Sequence, residues 1–179
     1  MTTRIVFSGY GGQGILTLGQ IVASIALLQE KQVTWMPSYG AEMRGGTANC
    51  SVIISDQVIG SPIVSNELDI LVAMNYPSII KFMDKVKPGG QIYANASIVD
   101  REMITRDDVE VIMIDASNIA IEMGNVKVAN MIMASGFLAK TDLFTIGDLR
   151  KALEQKFAGK KASIVDLNVA AVEKGLASI

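Results

Sequence analysis

The chain has 179 residues, half of them apolar and only 19% charged, with a net charge of −2; this fits one domain with a substantial core and offers no electrostatic footprint for nucleic acid. It contains no histidine and a single cysteine, Cys50, which excludes Ser-His-Asp and Cys-His catalysis, a disulfide framework within the chain and a cysteine-ligated iron–sulfur or zinc site. A charged share below the usual quarter or so predicts that part of the surface packs on another protein.

Residues Arg4–Ser8 read as a first strand, apolar except at its ends. Gly9-Tyr10-Gly11-Gly12-Gln13-Gly14 follows and opens a helix over about Gly14–Gln29. A glycine pattern placed between a strand and a helix is where a Rossmann-like fold turns its backbone toward a phosphate. The glycines permit a tight turn and close approach, and the helix start offers free N–H groups with a positive dipole end. Gly9, Gly11, Gly12, Gln13 and Gly14 are therefore candidate ligand-binding residues. The helix carries Ile15, Leu18, Val22 and Ala26 on one stripe and Leu16, Ala23 and Leu27 on a second. Its least apolar face, Thr17, Gln20 and Ser24, bears no charge. Such a helix is expected between the sheet and a second layer, or with that face against a partner subunit. The uncharged run Ile5–Gln29 is too short in its helical part and too polar to span a membrane. No basic start, clean apolar stretch or small-residue cleavage site marks a signal peptide, so a cytoplasmic location is expected.

The second strand, Gln32–Met36, has no carboxylate at its tip to hold a ribose hydroxyl, which disfavours NAD. In the loop that follows, Tyr39, Gly40, Glu42, Arg44, Gly45 and Gly46 form a candidate ligand or partner loop. The two glycines after Arg44 let the backbone bend and clear bulk around the guanidinium. That group would clamp a phosphate or carboxylate bidentately, or else close a loop salt bridge with Glu42.

Thr47–Ser55 reads as a strand that turns at Ser55-Asp56 to pair with Val58–Ile59. Asp69–Met74 is a continuous apolar run of the kind found in buried parallel strands. Pro77 starts a helix to about Val86, Lys87–Gly90 is a turn, and Gln91–Asn95 and Val109–Ile114 are further strands. Asp115 precedes a helix to about Met123, and Val128–Ala139 forms a longer one. Thr145 and Asp148 have the spacing of a capped start for Thr145–Phe157; the last helix, about Ile164–Leu176, is amphipathic. This alternation predicts an α/β class: a Rossmann-like three-layer fold with a mostly parallel mixed sheet. Residues 1–179 would form one domain whose part from about 145 onward is helical. Ligands in such folds sit beyond the C-terminal ends of the strands, which adds Asn75 and Asn95 as candidates for cofactor binding. Turn chemistry, with each asparagine bonding neighbouring backbone, is the alternative. The edge so assembled carries backbone and amide donors and no nucleophile–base pair, so neither a catalytic residue nor a metal ligand is expected.

The glycine motif of 9–14, Pro37-Ser-Tyr-Gly-Ala-Glu-Met-Arg-Gly-Gly46, Ser61-Pro62 and the strand Leu68–Met74 together resemble the gamma subunit of 2-oxoacid:ferredoxin oxidoreductases. The same module is one domain of the single-chain pyruvate enzymes. Pro88-Gly-Gly90 before a strand ending in Asn95, and Asn130-Met131 opening an Ala/Gly-rich helix, also fit; the resemblance covers about residues 4–140. It implies a multisubunit enzyme that oxidatively decarboxylates a 2-oxoacid to an acyl-CoA and passes electrons through iron–sulfur clusters to ferredoxin. The chain would hold no cofactor by itself. CoA would be its ligand, and it would supply the CoA-facing wall. Thiamine diphosphate and the clusters would sit on partners: thiamine-diphosphate-binding alpha and beta subunits and a ferredoxin-like subunit. The lone cysteine, and the lack of a Gly-Asp-Gly followed by Asn-Asn, agree with that division. Within the family the short chain with Tyr39–Arg44 is most similar to the 2-oxoglutarate and branched-chain types. The small subunit of an indolepyruvate oxidoreductase and a free-standing nucleotide- or acyl-CoA-binding module are the alternatives.

Overall fold

The computed structural model describes residues 1–39, 47–64, 66–159 and 162–179. Its strands are β1 (Thr2–Tyr10), β2 (Gln32–Tyr39), β3 (Thr47–Ser55), β4 (Leu68–Ala73), β5 (Val86–Asn95) and β6 (Glu110–Ile114). They form one sheet in the order β2-β3-β1-β4-β5-β6. From β1 through β4 and β5 to β6 the pairing is parallel, while β3 runs antiparallel to both of its neighbours. The helices are α1 (Ile15–Leu28), α2 (Tyr76–Phe82), α3 (Ala116–Glu122), α4 (Ala129–Met133), α5 (Ser135–Lys140), α6 (Ile146–Lys156) and α7 (Ala162–Leu176).

Side-chain alternation along β1 sends Ile5 and Phe7 into one apolar cluster and Val6 into another. A strand buried on both faces needs cover on both. One face is covered by α1 and α3–α7, the other by α2 and the segment around Val99 and Ile104, which makes the three-layer α/β fold expected. The chain leaving β1 covers the first face through α1; the chain leaving β4 covers the second through α2. Because β1 and β4 are neighbours, their C-terminal ends form the topological switch point, the place where ligands of such sheets bind.

Several local expectations change under long-range pairing. β2 runs on through Pro37 to Tyr39, since an edge strand tolerates a residue without an N–H. Val58–Ile59 does not pair with β3, whose two sides are taken by β1 and β2. Lys87–Gly90 is not a separate turn. It lies within β5, which joins β4 through a register shift between Leu68 and Ile70. The expected helix Val128–Ala139 is divided at Ala134 into α4 and α5, where Ala134 and Phe137 make i→i+3 bonds and Ser135 Oγ donates to the Ile132 carbonyl at 2.6 Å. On α1, Gln20 Oε1 accepts from Lys156 Nζ of α6 at 2.9 Å, so that residue of the least apolar face is bonded within the chain. Leu27 is 60% exposed, so the second apolar stripe is buried only in part. No helix among the described residues is long and apolar enough to cross a membrane.

The cap at α6 is as expected. Thr145 Oγ1 accepts from the Asp148 N–H at 3.2 Å, and the Asp148 carboxylate accepts from the Thr145 N–H at 3.0 Å and its hydroxyl at 2.8 Å. These bonds, the backbone one foremost, hold the Asp148 carboxyl below the usual carboxylate range. Thr145→Ala should cost about 1 kcal/mol, measured by urea denaturation with an unchanged slope. A loss near zero would show that tertiary packing alone fixes this helix start.

Candidate functional site

The loop after β1 is shaped by two left-handed glycines, Gly12 at φ +98° and Gly14 at φ +72°. Gly14 is the residue before α1, where it takes the N-cap position without a side-chain cap, and no acidic residue occupies the first turn. The first N–H groups of a helix have no intrahelical acceptor, so the positive end of α1 lies directly behind this turn. A Cβ built on Gly12 meets no atom within 4 Å, and Gly11 and Gly12 are exposed. The space beside them is open.

Gln13 braces this loop from within. Its Oε1 accepts from the Tyr10 N–H at 2.6 Å and lies 3.5 Å from Asn75 Nδ2, while its Nε2 donates to the Met74 carbonyl at 3.4 Å. The side chain therefore laces the tip of β1 to the tip of β4 across the switch point. Gly9 leaves room for it: a Cβ there would stand 2.7 Å from Gln13 Oε1 and 3.0 Å from Met74 Cβ.

Asn75 and Asn95 are fully buried, and both do what turn chemistry expects. Asn75 Oδ1 accepts from the Ser78 N–H at 3.0 Å and the Ser78 hydroxyl at 2.7 Å, capping α2. Asn95 Nδ2 donates to Ser117 Oγ at 2.8 Å, and its Oδ1 accepts from the N–H groups of Ser97 at 3.3 Å and Ser117 at 3.4 Å. Ser97 Oγ in turn accepts from the N–H groups of Ser117 and Asn118 at 3.0 and 3.1 Å and donates to Asp115 at 2.6 Å. The starts of α2 and α3 are thus closed by the chain's own side chains, whereas among the described residues no side chain caps α1. Tyr39 ends β2 at the same edge, opposite Ala48, as Tyr10 stands opposite Thr47. Gly40, Glu42, Arg44, Gly45 and Gly46 lie outside the described residues.

Asn130 is the site residue that local pattern did not assign. It approaches from α4, 116 positions away in sequence, and its Nδ2 donates to the Gly14 carbonyl at 3.0 Å. Cys50 lies beneath the same turn, its Sγ 4.0 Å from the Ile15 carbonyl. Burial pushes its thiol up to about 12, against a smaller lowering by the Trp35 indole, which disfavours the reactive thiolate. A cavity of about 440 Å³ opens at the opposite, N-terminal edge of the parallel strands. Its lysines are paired, Lys31 with Asp56, Lys87 with Asp69, and Lys140 with Glu110, so they are not free to hold an anion there.

The family described as pyruvate ferredoxin/flavodoxin oxidoreductase matches residues 4–178. The ketoisovalerate oxidoreductase subunit VorA of Methanothermobacter thermautotrophicus is 35% identical over 174 residues, 96% of this chain and 35% of VorA. The chain therefore spans about a third of the length of that relative. The 2-oxoglutarate synthase subunit KorC of Methanocaldococcus jannaschii is 33% identical over 155 residues, 86% of this chain and 82% of KorC. Among solved structures, the gamma subunit of a keto/oxoacid ferredoxin oxidoreductase from Geobacter sulfurreducens aligns with a TM-score of 0.77 at 27% identity, covering 98% of this chain and 96% of that one. A 2-oxoglutarate:ferredoxin oxidoreductase from Magnetococcus marinus, solved with 2-oxoglutarate, coenzyme A and succinyl-CoA bound, aligns with a TM-score of 0.87 at 23% identity. It covers 99% of this chain and 31% of that one, a likeness of fold.

Proposed function

The chain belongs to the pyruvate ferredoxin/flavodoxin oxidoreductase family, and from that premise we propose that it is the gamma-type subunit of a cytoplasmic 2-oxoacid:ferredoxin oxidoreductase. Thiamine diphosphate and the iron–sulfur clusters reside on partners, namely thiamine-diphosphate-binding alpha and beta subunits and a ferredoxin-like subunit. This chain contributes the wall that receives CoA. The supporting observation is the open start of α1, set at the switch point behind two left-handed glycines and without a side-chain cap. Backbone N–H groups so placed suit a phosphate of CoA, and the helix dipole adds about 0.3–1 kcal/mol for an anion there. In this reading Gly9, Gly11, Gly12, Gln13 and Gly14 shape the phosphate seat, with Asn75 and Asn95 supporting the neighbouring strand tips. Tyr39, Gly40, Glu42, Arg44, Gly45 and Gly46 supply the adjoining loop, with Arg44 as its cation. The single buried cysteine supports placing the clusters elsewhere.

The substrate we assign is 2-oxoglutarate, supported by similarity to KorC over most of both chains; similarity to VorA favours a branched-chain 2-oxoacid, and a substrate screen on the native complex decides between them. For the CoA role, Gly12→Leu in the co-purified complex should raise the KM for CoA about tenfold, about 1.4 kcal/mol, with kcat little changed. The chain without its partners should turn over no 2-oxoacid with thiamine diphosphate, CoA and viologen. An unchanged KM in an intact complex removes CoA from this loop. Turnover by the isolated chain, or purification without any thiamine-diphosphate subunit, removes the subunit assignment.

A further inference from the structure

We propose that the thiamine-diphosphate-binding partner seats on the bare part of the sheet's second face, over β2 and β3. The proposal rests on the subunit assignment above and adds the place of contact. On β3, Cys50 and Val52 join the cluster beneath α1, so Asn49, Ser51 and Ile53 alternate to the opposite face. On β2, Val33 and Trp35 pack on that same cluster, which turns Thr34, Met36 and Ser38 the other way. The cluster beneath α2 draws on β1, β4, β5 and β6 but, among the described residues, on nothing from β2 or β3. Ile53 is buried, so the bare stretch is the half nearer the glycine loop: Met36 and Ser38 of β2, Asn49 and Ser51 of β3.

No residue that β2 or β3 turns to this face is charged. A sheet face left to water is normally polar, and an edge strand is commonly guarded by charge, lysine above all. Here the exposed side chains around the stretch are apolar or aromatic instead. Met36 is 38% exposed, and so is Tyr10, which shares its side of β1 with Val6 beneath α2. Tyr76 and Ile80, 38% and 61% exposed, stand one turn apart on the outward side of α2, whose inward side holds Ile79 and Phe82. Exposed aromatic and methionine side chains without charge among them are the composition of an interface core.

Position selects the occupant. The bare stretch runs up to the sheet edge that carries the proposed CoA seat. The chemistry that consumes CoA is assigned to the thiamine-diphosphate partner, so that partner has to reach this edge, and an uncharged face leads to it. Chain length points to a large and lasting neighbour: nearly all of this chain matches only 35% of VorA, where the same fold shares one polypeptide with a longer remainder.

The test co-expresses the tagged full chain with its complex. Met36→Arg and Ser51→Arg put charge on the bare stretch. Ile121→Arg, at a 60% exposed apolar position of α3 in the other helical layer, is the control. Recovery of the thiamine-diphosphate-binding subunit should fall at least about tenfold with either of the first two, since each buries an unpaired charge, and stay within about twofold for the control. A photoreactive side chain at position 36 should crosslink to that subunit, which decides the matter should Ser51→Arg not fold. If either folded variant keeps the partner, or the crosslink joins a second copy of this chain or the ferredoxin-like subunit, the inference is overturned while the subunit assignment stands. If the wild-type chain recovers no thiamine-diphosphate-binding subunit, the assignment itself fails and this contact falls with it.

Discussion

Phe137→Ala should lower the stability of the chain by about 3–5 kcal/mol, the range for removing a large buried aromatic side chain. Phe137 is fully buried in α5 and touches three other rings. Its centroid lies 5.9 Å from Phe7 of β1, 5.1 Å from Tyr93 of β5 in an edge-on arrangement, and 5.7 Å from Phe144 in the approach to α6. The ring thus joins the sheet to the helical layer. Rigid neighbours on three sides limit collapse into the space left behind, and each aromatic pair adds about 0.5–1.5 kcal/mol beyond area burial. Against a total stability of about 5–15 kcal/mol for a folded domain, this is a large fraction. Urea denaturation measures it directly, and a cost under about 1 kcal/mol would mean that the layer repacks around the gap.

Gly14→Ala comes second in size. An L-residue held at φ +72° costs about 1–2 kcal/mol, and its Cβ would press on the Asn130 amide at 2.7 Å, so we expect a loss of about 2–3 kcal/mol once strain from overpacking is included. The same change should displace the Asn130 contact and raise the KM for CoA at least tenfold in the complex. Gly12→Ala is the control. Gly12 is also left-handed, but a Cβ there meets nothing within 4 Å, so only the conformational cost applies. Equal losses at the two positions would show that the Asn130 contact carries no weight.

What could be read from the sequence was what short stretches decide for themselves. The glycine turn, the span of α1 and the Thr145–Asp148 box each depend on residues within one or two helical turns of one another, and each was found where expected. The parallel strands were legible because a run such as 70–73, Ile-Leu-Val-Ala, is apolar on both faces. Pairing partners were not, because β3 has the same local pattern whether it folds back on Val58–Ile59 or slots between β1 and β2. Lys87–Gly90 has turn chemistry, yet strand pairing with β4 draws it into β5 at the cost of a register shift. The apolar pattern of Val128–Ala139 suits a continuous helix, and the break at Ala134 follows from i→i+3 bonding that no periodicity reveals. At the start of α1, sequence placed the glycine turn but not what holds it. Asn130 meets Gly14 across 116 positions, and only the packing of α4 against α1 brings them together.

The missing cap on α1 has a consequence for how long the subunit survives by itself. With glycine at the cap position, the helix start forgoes only about a few tenths of a kcal/mol relative to a serine or aspartate. An anion bound there returns that energy and more: a ligand at a hundred times its Kd adds about 2.7 kcal/mol to the folded state. Any local opening of Gly11–Leu18 would then fall as an anion fills the proposed seat. If the proposed seat holds its ligand, a loaded subunit should resist proteolysis longer than an empty one, which limited proteolysis with and without CoA would measure.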